Sequence, residues 1–143
     1  MRAAIFLMAV LFSSCSAIDV YKTREFSFDD NEKRQRVILH IPKGFAEEKF
    51  LLGNTGGKEQ YYYYLNGALL YFAKNVNWDT ENQLFIDKAK AISENSRFVY
   101  KGVDKDGLHW KEIRIDDFRF GYSYVPRDHL EKFEQAINSI QFK

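Results

Sequence analysis

The sequence is poor in the residues that most often betray a function. It has one cysteine, Cys15, so the folded domain forms no internal disulfide and must rest on its core. Two prolines and eight glycines exclude collagen-like and Pro-rich architectures. Neither sign of charge dominates: 21 Lys and Arg against 20 Asp and Glu give a formal charge of +1. Without a basic surplus there is no basis for the counterion-release binding that nucleic acids require, so no nucleic-acid partner is expected. The three histidines, His40, His109 and His129, have no local zinc spacing, and a single cysteine cannot supply a thiolate set, so no metal and no cofactor is expected. What the chain does have is aromatic residues, 17% of the total, with 13 Phe and 9 Tyr. With 45% hydrophobic and 29% charged residues, it is a globular chain with room for one domain.

The first residues have the layout of an export signal. Met1 and Arg2 give a short positive start, residues 3–12 (AAIFLMAVLF) are uninterruptedly apolar, and small residues follow at 13–17. An apolar helix of that length spans about 15 Å, half a bilayer's ~30 Å hydrocarbon core, too little for a permanent span. The stretch LFSSC at 11–15 resembles the lipobox of bacterial lipoproteins, with Phe12 standing where that family has Leu, Val or Ile. The resemblance implies that residues 1–14 are removed and that Cys15 becomes the lipidated first residue. Its partner is then the membrane, through that lipid anchor. Two or three acyl chains amount to a lasting anchor, because each buried methylene adds about 0.8 kcal/mol. Ser16, which is not acidic, implies outer-membrane delivery in a cell envelope. Cleavage after Ala17 is the alternative route, giving a secreted or periplasmic protein.

Along the mature chain, residues 15–24 read as the lipidated cysteine and a tether, and 25–143 as a single α+β domain. Alternating apolar residues predict strands around Phe26 and Phe28, and around Val37, Leu39 and Ile41. Residues 45–52 stay open between helix and strand. GNTGGKEQ from Gly53 is a turn and not a phosphate loop, since three residues instead of four separate Gly53 from Gly57. Asn66-Gly67 predicts a two-residue type I′ hairpin pairing Tyr63 with Leu70, which leaves Tyr62, Tyr64, Leu69 and Tyr71 on the face away from the core. A capping box at Thr80 and Gln83 opens a helix running to about Asn95. Asp106-Gly107 predicts a second two-residue turn, setting Lys101 opposite Glu112, with Phe98, Tyr100, Ile113 and Ile115 on the core face. Phe118, Phe120, Tyr122 and Tyr124 continue a three-strand meander, and a last helix over about 127–139 lays down Leu130, Phe133, Ile137 and Ile140. The expected fold is therefore α+β: a single antiparallel sheet of about six to seven strands with two main helices packed on it. The element order, with HIPKGF and the closing FEQAINSIQF, also resembles the PsbP-like fold, a resemblance that brings no catalytic residues.

No catalytic constellation emerges. Ser123 lacks the second glycine of a nucleophile elbow, and adjacent acids such as Asp116-Asp117 point apart. The sequence leads to a membrane-anchored envelope lipoprotein acting as a non-enzymatic protein- or ligand-binding module. Tyr62, Tyr64 and Tyr71 are its first candidate contacts, because tyrosine gives large contact area at low entropic cost. Trp110, with Lys101, Glu112 and Arg114, is the substitute should that hairpin be covered on both faces. Two alternatives are a small envelope hydrolase around His109, Asp104 and Tyr124, and an immunity or inhibitor protein against a secreted toxin.

Overall fold

A computed structural model describes residues 20–30, 33–53, 56–75, 92–94 and 97–143. Ten strands form two antiparallel sheets. The smaller has the order β1 (Tyr21–Asp30), β2 (Lys33–Pro42), β10 (Gln141–Phe142). The larger runs β3 (Phe45–Leu52), β4 (Lys58–Tyr64), β5 (Leu69–Lys74), β9 (Phe118–Val125), β8 (His109–Ile115), β7 (Arg97–Val103), β6 (Ile92–Glu94). A 3₁₀ turn, Arg127–His129, leads into helix α1, Leu130–Asn138.

The fold is mostly β, which corrects the expectation of one sheet carrying two main helices. Among the described residues α1 is the one α-helix. The physical reason lies in the area to be covered. Nine residues of helix are about 14 Å long, whereas seven strands spread over about 29 Å. Helix α1 buries Phe133, Ala136 and Ile137 against one part of the inner face, and the hairpin β1–β2 covers the rest. The chain breaks away from the small sheet at Lys43-Gly44, where Gly44 takes φ +89° and the Lys43 N–H donates to the Val20 carbonyl. Rings from both sheets meet between them: Phe26, Phe28 and Phe142 from the small one against Phe72, Phe118 and Phe120 from the large one. Their centroids lie 5.0 Å apart for Phe26–Phe72 and 5.1 Å for Phe118–Phe142. These phenylalanines are the filling between the two sheets.

Strand β1 begins at Tyr21, inside the stretch expected as tether. The helix expected up to Asn95 lies largely outside the described residues, but its C-terminal end does not form: Ile92–Glu94 is a strand paired with β7. Residues 45–52 resolve as an edge strand.

Both Asx-Gly hairpins adopt a three-residue loop in place of the expected two. Tyr64 pairs with Ala68, and Asp104 with Leu108. Only Gly67 (φ +84°) and Gly107 (φ +78°) are left-handed, while Asn66 and Asp106 are not. That is a type I turn followed by a glycine bulge, where type I′ needs positive φ at both central residues. The side chains favour it: Asn66 Oδ1 accepts from Ala68 N at 3.1 Å, and Asp104 Oδ1 accepts from Asp106 N at 2.8 Å and Leu108 N at 3.0 Å. The observed pairs are Tyr62–Leu70 and Lys101–Lys111. A one-residue slip exchanges the faces of a strand. Tyr62 therefore goes to the core with Leu70, while Val99 instead of Phe98 faces inward with Ile113.

Candidate functional site

The slip decides the fate of the candidate tyrosines. Tyr62 is fully buried, packed 5.2 Å from the Phe45 ring. Burial, the nearby Glu48 charge and a smaller opposing effect of Arg24 together push its phenol above the usual range. Tyr64 is half-buried, donates to the Pro42 carbonyl at 2.9 Å, and packs edge-on against Phe133. Tyr71 lies on the other face and is also buried, donating to Glu112 Oε2 at 2.7 Å. The three do not converge and form no exposed platform. The residues that do share the outer surface of that hairpin are Tyr61 and Tyr63, stacked at 6.1 Å.

Trp110 is half-buried, its indole laid over Gly102 on the neighbouring strand. It shares the outer face of β8 with Glu112 and Arg114, but Lys101 is on the opposite face, beside Lys111. Glu112 is buried and accepts from Tyr71 and from Arg114 Nε, the latter at 2.6 Å. Burial and then the nearby Arg114 charge lower the Arg119 guanidinium, with Glu112 opposing. This group is an internal network that uses up its carboxylate. At the proposed hydrolase site, both contacts of Asp104 Oδ1 go to the backbone of its own turn, leaving His109 without that carboxylate's geometry. A bulge shifts the register between His109–Val125 and Lys111–Tyr122, so Val125 turns inward and Tyr124, at φ +58°, turns out. Among the described residues no group of three His, Cys, Asp or Glu could hold a metal ion. Cys15 lies outside the described residues.

The feature that the sequence did not reveal is a cleft of about 200 Å³ between the sheets. Phe26 and Phe28 of β1, Phe50 of β3 and Phe72 of β5 line it, with Lys58 and Gln60 of β4 at its polar side. It exists because, among the described residues, β1 and β3 are both edge strands, of different sheets, and do not pair with one another. At the other end of the gap Arg24 of β1 closes it, ion-paired with Glu48 of β3 and lying over the Phe45 and Tyr62 rings at 5.8 and 5.9 Å. The inner face of the large sheet then places Lys58 directly opposite Lys74. Their ammonium groups stand 5.2 and 5.4 Å from the Phe28 ring. Like charges directly opposite one another destabilise a strand pair. Lys74, buried, has Asp117 at 3.7 Å, and among the described residues Lys58 has no carboxylate partner.

A shallower groove of about 740 Å³ lies where the chain enters the fold, lined by Tyr21, Lys22, His40, Lys43 and Phe45 among others. No described helix is long and apolar enough to cross a membrane. Compared with known proteins, the chain matches no family model, no curated protein and no solved structure.

Proposed function

We propose that the protein is a lipid-anchored module of a bacterial cell envelope that binds an envelope component in the opening between its two sheets. The observation that carries the binding part is the cleft itself: four phenylalanines around a cavity with Lys58 at its side, a lysine without a carboxylate partner among the described residues. Apolar concavities with a few placed polar groups are where small ligands bind. The anchoring part is supported by the LFSSC stretch, whose cysteine comes shortly before Tyr21, the first residue of β1, in the sequence. A binding role also agrees with the way the acids and bases are employed: Glu112, Glu134 and Asp104 each serve a structural contact.

Intact mass and membrane fractionation test the anchor. The protein expressed in a diderm bacterium is expected to carry a diacylated or triacylated Cys15 and to sediment with outer membranes, and Cys15→Ala to become soluble. A water-soluble wild-type species beginning at Ile18 overturns the anchor. Capture from solubilised envelopes tests binding: retention of an envelope component that Phe50→Ala releases supports it, and identical recoveries with both proteins count against the cleft.

A further inference from the structure

We infer that the cleft takes the hydrocarbon part of a fatty-acid-type carboxylate, with the carboxylate held at Lys58; the inference rests on the binding function proposed above and names its ligand. Size comes first. An engineered apolar cavity of about 150 Å³ accepts benzene, so about 200 Å³ accommodates a short acyl segment but not a drug-sized molecule. The apolar side is made of four phenylalanine rings, which suits a saturated or simple aryl chain, while Lys58 and Gln60 make the polar side. Phe50 is 54% exposed at the mouth, so a chain longer than the cavity has a path outward.

Charge then selects the head group. Three charged residues, Glu25, Lys58 and Glu59, line the opening, and Lys74 stands beside Lys58 over the Phe28 ring. Glu25 is ion-paired with Arg36 at 3.3 Å, and Glu59 accepts the Tyr61 hydroxyl. Lys74 is served by Asp117. Among the described residues Lys58 has no carboxylate partner, and its ammonium stands over the Phe28 ring. A cation left over Phe rings and beside a second cation is relieved by a monoanion, which neutralises the Lys58–Lys74 repulsion while its chain displaces water from the phenylalanines. A cationic or neutral amphiphile would gain only the second of these contributions.

Calorimetric titration of the purified full chain with octanoate tests this. Saturable one-to-one binding is expected, weakened about tenfold, or about 1.4 kcal/mol, by Lys58→Gln and by Phe50→Ala. Octan-1-ol and octyltrimethylammonium are expected to bind at least about tenfold more weakly than octanoate, the same factor of about 1.4 kcal/mol. Phe50 is exposed and Lys58 half-exposed, so both variants should keep the wild-type Tm, and Lys101→Gln, on a different strand, should bind as wild type. Absence of saturable octanoate binding, or equal binding of the ammonium amphiphile, overturns the inference. If octanoate fails while envelope capture remains sensitive to Phe50→Ala, the ligand class is wrong and the binding function stands.

Discussion

Gly121 is where a single hydrogen atom decides whether the sheet can form as it does. A Cβ at that position would lie 2.2 Å from the Tyr71 hydroxyl and 2.6 Å from the Lys111 carbonyl oxygen. The Tyr71 ring crosses from β5 over the backbone of β9 to reach Glu112 on β8, and only glycine leaves that path open. Gly121→Ala must displace either a strand backbone or a tyrosine whose hydrogen bond satisfies a buried carboxylate. Overpacking of this kind costs about 1–3 kcal/mol, and the loss of the Tyr71 hydrogen bond to buried Glu112, which keeps only Arg114, adds to it. Gly102→Ala is the informative contrast, because its Cβ would meet Trp110 at 2.8 Å, a half-exposed side chain that can swing away. Urea denaturation should show Gly121→Ala destabilised by upwards of about 2 kcal/mol and Gly102→Ala by less than half of that. Equal losses would mean that the Tyr71 path does not matter. Neither requirement was legible in the sequence, since Gly121 in a strand pattern signals close approach without saying to what.

Elements were legible where periodicity is long and were misplaced where one residue decides. The strand positions and the last helix follow from alternation and from a stripe of Leu130, Phe133 and Ile137. Yet Asn66-Gly67 and Asp106-Gly107 fit two turn types, and short-range preference alone could not show that the Asx side chain hydrogen-bonds forward, holding the first turn residues right-handed. Each slip moved a whole face, which is why Tyr62 was expected outside and is found inside. Helix α1 is fastened by an interaction of the opposite kind, exposed enough to titrate. Glu134 accepts from Lys111 Nζ at 2.5 Å and from the Tyr122 hydroxyl at 2.6 Å, joining the helix to β8 and β9. Burial alone would raise its carboxyl pKa, but those hydrogen bonds and the charges of Lys111 and Lys101 outweigh it and hold it below the usual value. A depressed folded-state pKa stabilises the protein above the unfolded carboxyl pKa of about 4.3 and is lost as pH falls through the folded value. The stability of wild type should therefore fall more steeply below about pH 4.3 than that of Glu134→Gln, followed by urea midpoints across the acid range. Parallel curves would show that the carboxylate contributes no pH dependence.

At the scale of the molecule, two edge strands explain both the cleft and a liability. Neither the number of strands nor their division into two sheets was legible: about six to seven in one sheet were expected and the described residues form ten in two, because β1–β2 reads equally well as an extension of one sheet or as a cover for it. What decides is the inner face of β5 and β9, too long and too rich in phenylalanine for a nine-residue helix to hide. The cleft shared that illegibility, because Phe26, Phe28, Phe50 and Phe72 come from three strands of two sheets. Among the described strands β3 has β4 alone beside it, and Phe50, Leu51 and Leu52 are 54%, 50% and 66% exposed. An exposed apolar edge is a template for another strand, and natural sheets blunt such edges with charge. Glu47, Glu48 and Lys49 do so at one end, with Glu47 and Lys49 ion-paired at 3.2 Å, while the FLL end has no such guard. Leu51 points away from the cleft, being two residues from Lys49 on the outer face and opposite Glu59. Leu51→Lys should thus leave octanoate binding unchanged while raising about tenfold the concentration at which the protein begins to self-associate, measured by light scattering. A scattering onset that does not move with Leu51→Lys would place self-association elsewhere; a loss of octanoate binding would show that the edge and the cleft are one surface.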